Sequence, residues 1–167
     1  MATLVLLRHA KAEPENGLGD AQRPLSSRGR RQATALGPLL AAHVGGVDVA
    51  LVSGALRTTE TYKLLAASWP EGAPEADVRE ELYSAGPRDV IALLAELPPE
   101  AERVLVVGHE PTMSSLAHVL NTERSPLADT VAYGMGTASA AVLEVPVPWG
   151  ELDRSTARLL TVVRPEE

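Results

Sequence analysis

Three short, mainly apolar runs constrain the fold of this chain more than any other feature of its sequence. They cover residues 4–7, 47–52 and 103–107. Apolar runs of this length, with little alternation of polar residues, are typical of parallel strands that helices cover on both faces. Amphipathic helical patterns lie between the runs, so strand and helix alternate along the chain. The sequence therefore predicts an α/β three-layer sandwich with a mostly parallel central sheet.

Capping and turn residues set the expected limits of the other elements. Four helices are predicted, at residues 26–44 (beginning at Ser26 or Ser27), 55–67, 87–97 and 111–120. Loops are expected at residues 10–24 and 70–74, and an edge strand at 78–82. Two late strands, 137–145 and 157–163, flank a turn region rich in proline and glycine, which predicts an antiparallel hairpin.

Cysteine content and charge exclude several classes of function. The chain has no cysteine, which excludes disulfides, zinc-thiolate sites and thiol nucleophiles. Its net charge of −7 and its aromatic content of 3% argue against a nucleic-acid partner or an acidic membrane surface. Six of its 15 basic residues nevertheless lie between residues 8 and 31. A local cationic site on an acidic protein fits a small anionic target.

The length of the chain suits a single domain covering residues 1–167. No apolar run approaches the length of about 18 residues that suggests a membrane span. The first residues also lack the basic segment and the long apolar stretch of a signal peptide. We therefore expect a cytoplasmic protein.

Each of the three apolar runs is followed closely by residues that suit phosphate chemistry. Arg8 and His9 follow the first run, Arg57 lies shortly after the second, and His109 follows the third. The carboxyl ends of parallel neighbouring strands meet at one edge of a sheet, so these four side chains should converge there. A guanidinium group clamps two phosphate oxygens, and an imidazole can attack phosphorus or move a proton. The pattern predicts a phosphoryl pocket.

Four segments resemble the histidine phosphatase (phosphoglycerate-mutase-like) superfamily, and more closely its SixA-like phosphohistidine phosphatase branch. They are Leu-Leu-Arg-His-Ala-Lys-Ala at 6–12, Arg-Pro-Leu-Ser-Ser-Arg-Gly at 23–29, Ser-x-x-x-Arg-Thr-x-x-Thr at 53–61 and Val-Gly-His-Glu-Pro at 107–111. Ala10 stands where the superfamily usually has glycine, as it does in SixA-like members. Residues 69–85 are too few for the lid insertion that many members carry. The resemblance thus implies an open site.

The resemblance also implies a role for each matching residue. His9 resembles the nucleophile that forms a phosphohistidine intermediate, Arg8 and Arg57 resemble the phosphate clamps, and His109 resembles the second imidazole that stabilises the transferring group. Ser53 is either a cap or turn residue or a further phosphate ligand. No metal and no cofactor is expected, because the arginines and His109 supply the positive charge that phosphoryl transfer needs.

The proton donor to the leaving group has three candidates. Asp20 lies in the loop before Arg23, in an Asp-x-x-Arg-Pro-Leu setting that resembles the short branch, and is preferred. Glu80 and Glu81 are the alternatives. A phosphohistidine substrate expels an imidazole, whose unperturbed pKa is about 6.5. Such a leaving group needs less help than an alkoxide.

Three functions remain open at this point. The first is a metal-independent phosphatase that removes phosphate from phosphohistidine in a protein. The second is a phosphatase of small phosphate monoesters. The third, of another class, is a catalytically silent module that binds phosphate or docks a partner. The expected partner is thus a phosphorylated protein or a small phosphate ester.

Overall fold

The computed structural model describes residues 1–69 and 72–166. The described strands are β1 (Ala2–Arg8), β2 (Val49–Ser53), β3 (Asp77–Arg79), β4 (Arg103–Gly108), β5 (Ala140–Val145) and β6 (Arg158–Val163). The described helices are α1 (Ser27–Val44), α2 (Leu56–Ala66), α3 (Pro87–Ala95), α4 (Thr112–Leu120) and α5 (Pro126–Tyr133). Short 3₁₀ turns cover Asp20–Gln22, Glu80–Tyr83 and Trp149–Glu151.

The six strands form one mixed sheet in the order β3-β2-β4-β1-β5-β6. The first four are parallel neighbours, with Leu4 of β1 opposite Val104 of β4. β5 runs antiparallel to both β1 and β6. The predicted parallel sheet with a late antiparallel hairpin is therefore confirmed.

Helices cover both faces of the sheet, and the side chains of each strand alternate between the two faces. Leu4 and Leu6 of β1 pack in a buried cluster with residues of α3, α4 and α5. Val5 and Leu7 pack on the opposite face with residues of α1 and α2. Both faces of the central strands are buried, which explains why the strands read as continuous apolar runs. This confirms the predicted three-layer sandwich.

Local signals place α1 where the sequence predicted it. The Ser26 hydroxyl accepts a hydrogen bond from the Gly29 amide at 3.0 Å, which satisfies one free N–H of the first turn. Gly45 ends the helix in the left-handed conformation, with φ of 76°, and donates its N–H to the Ala41 carbonyl. A side chain at position 45 would make this turn less favourable.

Two strand boundaries and one helix differ most from the sequence-based expectation. The edge strand predicted at 78–82 is only Asp77–Arg79, because its partner β2 ends at Ser53, opposite Arg79. The strand predicted from 137 begins at Ala140, because the backbone turns at Ala138, where φ is 57°. Helix α5 was not predicted, although its Ser125 cap and the proline that follows are recognisable start signals.

The loop predicted at 70–74 is partly outside the described residues, since Pro70 and Glu71 are not among them. Residues 72–74 have no regular structure, as expected. Within the described ranges, no helix has both the length and the apolar character needed to cross a membrane.

Candidate active site

The candidate site lies at the carboxyl edge of the parallel strands. Arg8 is the last residue of β1, and His109 directly follows β4, the strand paired with β1. Arg57 lies in the first turn of α2, which follows β2 on the other side of β4. The imidazole rings of His9 and His109 have centroids 5.5 Å apart. The structure thus brings the predicted side chains together because their strands are neighbours.

His9 is held in one tautomer by the backbone of the next residue. Its Nδ1 lies 2.7 Å from the carbonyl oxygen of Ala10. A carbonyl only accepts hydrogen bonds, so Nδ1 carries the proton and Nε2 keeps its lone pair. Burial lowers the pKa of His9 to about 4; the hydrogen bond to Ala10 opposes this shift, and the charges of Arg57 and Arg8 add to it. His9 is therefore neutral at pH 7 and presents a free nucleophilic nitrogen.

The tautomer of His109 follows from its two neighbours. Nη2 of Arg57 lies 3.4 Å from His109 Nδ1, and the Ser53 hydroxyl lies 2.8 Å from Nε2. A guanidinium group only donates, so Nδ1 is the acceptor and Nε2–H donates to Ser53. Burial, followed by the charge of Arg57, lowers the pKa of His109 to about 4. The fully buried Ser53 hydroxyl thus orients His109. The sequence had suggested a cap or turn residue or a phosphate ligand, and neither interpretation included this contact.

Arg57 and Asp20 form the best-connected ion pair of the site. Arg57 is only 6% exposed, and it donates from Nη1 to the Asp20 carbonyl at 2.9 Å and from Nη2 to Asp20 Oδ2 at 3.0 Å. The other carboxylate oxygen of Asp20 accepts from Arg23 at 2.9 Å. The Tyr83 hydroxyl also donates to Asp20 Oδ2.

These donors hold the pKa of Asp20 well below its usual range, with the Tyr83 hydrogen bond as the largest cause and Arg23 and Arg57 acting in the same direction. Asp20 is therefore ionised at neutral pH. A general acid must carry a proton before it can donate one. The arrangement thus favours a role for Asp20 in holding Arg57 over the preferred sequence-based role of proton donor.

Both arginines have unmet hydrogen-bonding capacity. Nη1 of Arg8 donates to the carbonyl of Met135 at 2.8 Å. The Nε–H groups of Arg8 and Arg57 are buried and have no partner among the residues that the structure describes. Buried donors without acceptors are unfavourable. Two guanidinium groups with unpartnered N–H donors make the site favourable for an anion.

The two alternative acids, Glu80 and Glu81, lie in different places. A Cβ atom added to Gly54 would come within 2.2 Å of Glu80 Oε1, so the Glu80 carboxylate lies against the backbone just after β2. Glu81 instead has its Oε2 3.8 Å from Nη1 of Arg79. Of the pair, Glu80 is the one beside the Ser53 end of the site.

Besides Met135, sequence reasoning missed two residues that contact or support this group. The ring of Tyr83 lies edge-on to His109, with centroids 5.6 Å apart, and 6.0 Å from the Arg57 guanidinium carbon. Thr61 accepts a hydrogen bond from the Ala10 amide at 3.0 Å, which supports the loop that carries His9. Thr61 belongs to the Ser-x-x-x-Arg-Thr-x-x-Thr segment, so a signal existed, whereas nothing local marks Tyr83. Across residues 1–69 and 72–166, no cluster of three or more His, Asp or Glu side chains could hold a metal ion.

Comparison with known proteins identifies the family. Residues 4–84 match the family model described as histidine phosphatase superfamily (branch 1). A solved structure from Nakamurella multipartitia, assigned as phosphohistidine phosphatase SixA, is 33% identical with a TM-score of 0.85. That alignment covers 98% of this chain and 96% of the other. This chain belongs to the histidine phosphatase superfamily.

Within the histidine phosphatases, the chain falls in the SixA-like branch. A second solved structure assigned as SixA, from Agrobacterium tumefaciens, is 27% identical with a TM-score of 0.78 and covers 98% of this chain and 99% of that one. The uncharacterized protein Rv1276c of Mycobacterium tuberculosis is 34% identical over 157 residues, which are 92% of this chain and 96% of the relative. The predicted family and branch are confirmed, and membership makes the chain a phosphatase.

The depressed pKa of His9 leads to a testable pH dependence. We expect the ring resonances of His9 to titrate near pH 4, because burial disfavours the imidazolium. In an unfolded chain the same ring binds its proton near pH 6.5, so the unfolded state holds more protons between these values. The free energy of unfolding should therefore fall as pH is lowered from about 6.5 toward 4. NMR titration, assigned with a His9→Asn variant, measures the titration midpoint of His9; a midpoint near pH 6.5 would contradict the expected pKa.

Proposed function

We propose that this chain is a metal-independent phosphatase in which His9 takes up the phosphoryl group and the substrate is phosphohistidine in a protein. The observation that carries the proposal is the state of His9. Its Nδ1–H is held by the Ala10 carbonyl, so the lone pair of Nε2 is free. Arg8 and Arg57 lie around it and supply guanidinium donors for the oxygens of a phosphoryl group, and the His109 ring lies 5.5 Å away.

The reaction that follows from this arrangement has two steps. In the first, Nε2 of His9 bonds to phosphorus while the bond from phosphorus to the substrate imidazole breaks, and solvent protonates the released imidazole. In the second, the oxygen of a water molecule bonds to phosphorus, the bond from phosphorus to His9 breaks, and a proton of that water passes to solvent as inorganic phosphate is released. The arginines stabilise the charge on the phosphoryl oxygens in both steps.

Three observations favour phosphohistidine as the substrate. The SixA structures at 33% and 27% identity carry the name phosphohistidine phosphatase. Asp20, the preferred proton donor, is ionised, and an imidazole leaving group tolerates a weak acid better than an alkoxide does. The rim beside Asp20 exposes Leu18 at 72% and Tyr83 at 39%, which is apolar surface available to a protein substrate.

A phosphatase of small esters is the second candidate, and one observation favours it. The Glu80 carboxylate lies beside the Ser53 end of the site, where a protonated carboxyl group could assist an alkoxide leaving group. The third reading, a catalytically silent binding module, requires that His9 be present without acting as a nucleophile.

A side-by-side comparison of kcat/KM separates these candidates. We expect the phosphohistidine protein to exceed every member of a panel of small phosphate esters, with all assays run in EDTA. A higher kcat/KM for one small ester would favour the second candidate. If neither p-nitrophenyl phosphate nor phosphohistidine is turned over, the catalytically silent module is the candidate function that remains. Loss of activity in EDTA would contradict the metal-independent mechanism.

Replacing the candidate acids tests their roles separately. We expect Asp20→Asn to lower kcat/KM for an alkyl phosphate, p-nitrophenyl phosphate and phosphohistidine by a similar factor of about ten, as one charge-assisted contact to Arg57 is lost. A loss confined to the alkyl phosphate would instead return Asp20 to the role of acid.

Glu80→Gln has a matched control in Glu81→Gln. If Glu80 protonates alkoxides, its variant should slow only the alkyl phosphate, because nitrophenolate leaves with little assistance. The neighbouring Glu81→Gln should leave all three substrates unchanged. Equal behaviour of the two variants would exclude Glu80 as a proton donor.

A further inference from the structure

Glu110 is a charged residue beside the site that the proposed reaction does not use. It follows His109 and is half-buried at the start of α4. Its Oε1 accepts the Ser114 amide at 2.8 Å, and its Oε2 accepts the Ser114 hydroxyl at 2.7 Å. A helix-start carboxylate would need no more than these two bonds. Oε2 makes a third, accepting the amide of Met135 at 3.0 Å, 25 residues further along the chain.

Met135 belongs to a segment, residues 134–139, that wraps the turn carrying Arg8 and His9. The Met135 carbonyl accepts from Nη1 of Arg8 at 2.8 Å. The Ala138 amide lies 3.1 Å from the carbonyl oxygens of both Arg8 and His9. The Arg8 amide donates to the Ser139 carbonyl at 3.1 Å. The 134–139 segment thus contacts both the backbone and the side chain of Arg8.

The 134–139 segment has a backbone that needs an anchor. It contains two glycines, and φ is positive at Gly134 and at Ala138. Glycine has more conformations to lose on ordering than other residues have, and a positive φ is unfavourable for alanine. The Met135 amide that donates to Glu110 and the Met135 carbonyl that accepts from Arg8 are only two backbone bonds apart, so the bond to Glu110 restricts where that carbonyl can lie.

We propose that Glu110 is a positioning residue, which acts through Met135 to set the Arg8 guanidinium for a phosphoryl group. The inference rests on the proposed function, since it needs Arg8 to bind phosphoryl oxygens. A positioning role and a helix-start role make different demands on the Glu110 side chain. Positioning requires the length that reaches Met135, whereas a helix start requires only a negative charge near the first turn.

Two conservative variants separate length from charge. Glu110→Gln keeps the length and an amide oxygen that can accept from Met135, but loses the charge. Glu110→Asp keeps the charge near the Ser114 amide, but is one carbon too short for Met135. We expect Glu110→Asp to raise the inhibition constant of vanadate and to lower kcat/KM for p-nitrophenyl phosphate, each about tenfold. We expect Glu110→Gln to stay within about threefold of wild type.

Ser114→Ala is the control for a general effect on α4. It removes one of the bonds to Glu110 but leaves the bond to Met135, so vanadate inhibition should change less than twofold even if the melting temperature falls. A double-mutant cycle adds a second readout. In an Arg8→Ala background, Glu110→Asp should have almost no further effect on vanadate affinity measured by calorimetry, because the guanidinium that Glu110 positions is gone.

The outcomes are distinct. If vanadate inhibits Glu110→Gln more weakly than it inhibits Glu110→Asp, then the charge of Glu110 matters more than its length, which would overturn the positioning role. So would full additivity of Glu110→Asp with Arg8→Ala, or wild-type vanadate inhibition in Glu110→Asp. A wild-type protein that neither binds vanadate nor hydrolyses p-nitrophenyl phosphate would instead refute the proposed function, and the positioning role with it.

Discussion

Replacing His9 with alanine is expected to abolish turnover, with a loss of about 10⁴-fold or more in kcat, as is typical when a covalent nucleophile is removed. The fold should survive. The His9 side chain is half-buried, and its hydrogen bond is to the carbonyl of the adjacent Ala10, so its loss leaves no distant partner unsatisfied. Kinetics with p-nitrophenyl phosphate and a thermal melt check both parts of this expectation.

Trapping the intermediate makes the expectation specific to His9. Rapid quenching with labelled substrate should leave a phosphate on His9 that is stable in alkali and labile in acid. His43→Ala and His118→Ala are matched controls, since both residues are exposed in the last turns of helices, away from the carboxyl edge of the sheet. Label on either of them, or wild-type activity in His9→Ala, would exclude the proposed mechanism.

Arg57→Lys should cost on the order of 10²-fold in kcat/KM, or about 2.7 kcal/mol of transition-state stabilisation. The guanidinium of Arg57 is buried, and its two terminal nitrogens donate in different directions to Asp20 and toward His109. A lysine ammonium is a point charge and cannot reproduce this planar fork. The inhibition constant of vanadate should therefore rise together with the loss of kcat/KM.

The control for this variant is Arg30→Lys. Arg30 is on the exposed part of α1, where its Nη1 lies 3.6 Å from Glu60 Oε2. Surface ion pairs of this kind contribute little, so this variant should stay within about twofold of wild type. An unchanged vanadate inhibition constant in Arg57→Lys would remove Arg57 from the phosphoryl pocket.

Much of the fold was predictable because its signals are local. A buried parallel strand must be apolar on both faces, and a helix start or stop depends on one or two residues such as Ser26 and Gly45. The errors lie where a boundary depends on a distant partner. β3 is short because β2 ends at Ser53, and β5 begins late because Ala138 bonds to the Arg8–His9 turn.

The sequence by itself determined the strand ends and the chemistry they carry. Arg8 directly follows the first apolar run, His109 follows the third after one glycine, and Arg57 lies near the start of the helix after the second. Any sheet that places these runs side by side in parallel therefore collects the three residues at one edge. Their type alone is enough to indicate phosphate chemistry.

Only the tertiary structure decided protonation and positioning. The contacts between Asp20 and Tyr83, Ser53 and His109, and Glu110 and Met135 span 63, 56 and 25 residues, respectively. Such contacts depend on the paths of whole loops and on the order of the strands, which no local pattern encodes. Burial, which no single residue type reports, keeps His9 neutral well below the ordinary imidazole pKa of about 6.5, and the donors around Asp20 keep its carboxylate ionised further into acid than usual. Whether a residue attacks, donates a proton or only holds a neighbour is therefore set by its surroundings in the folded chain.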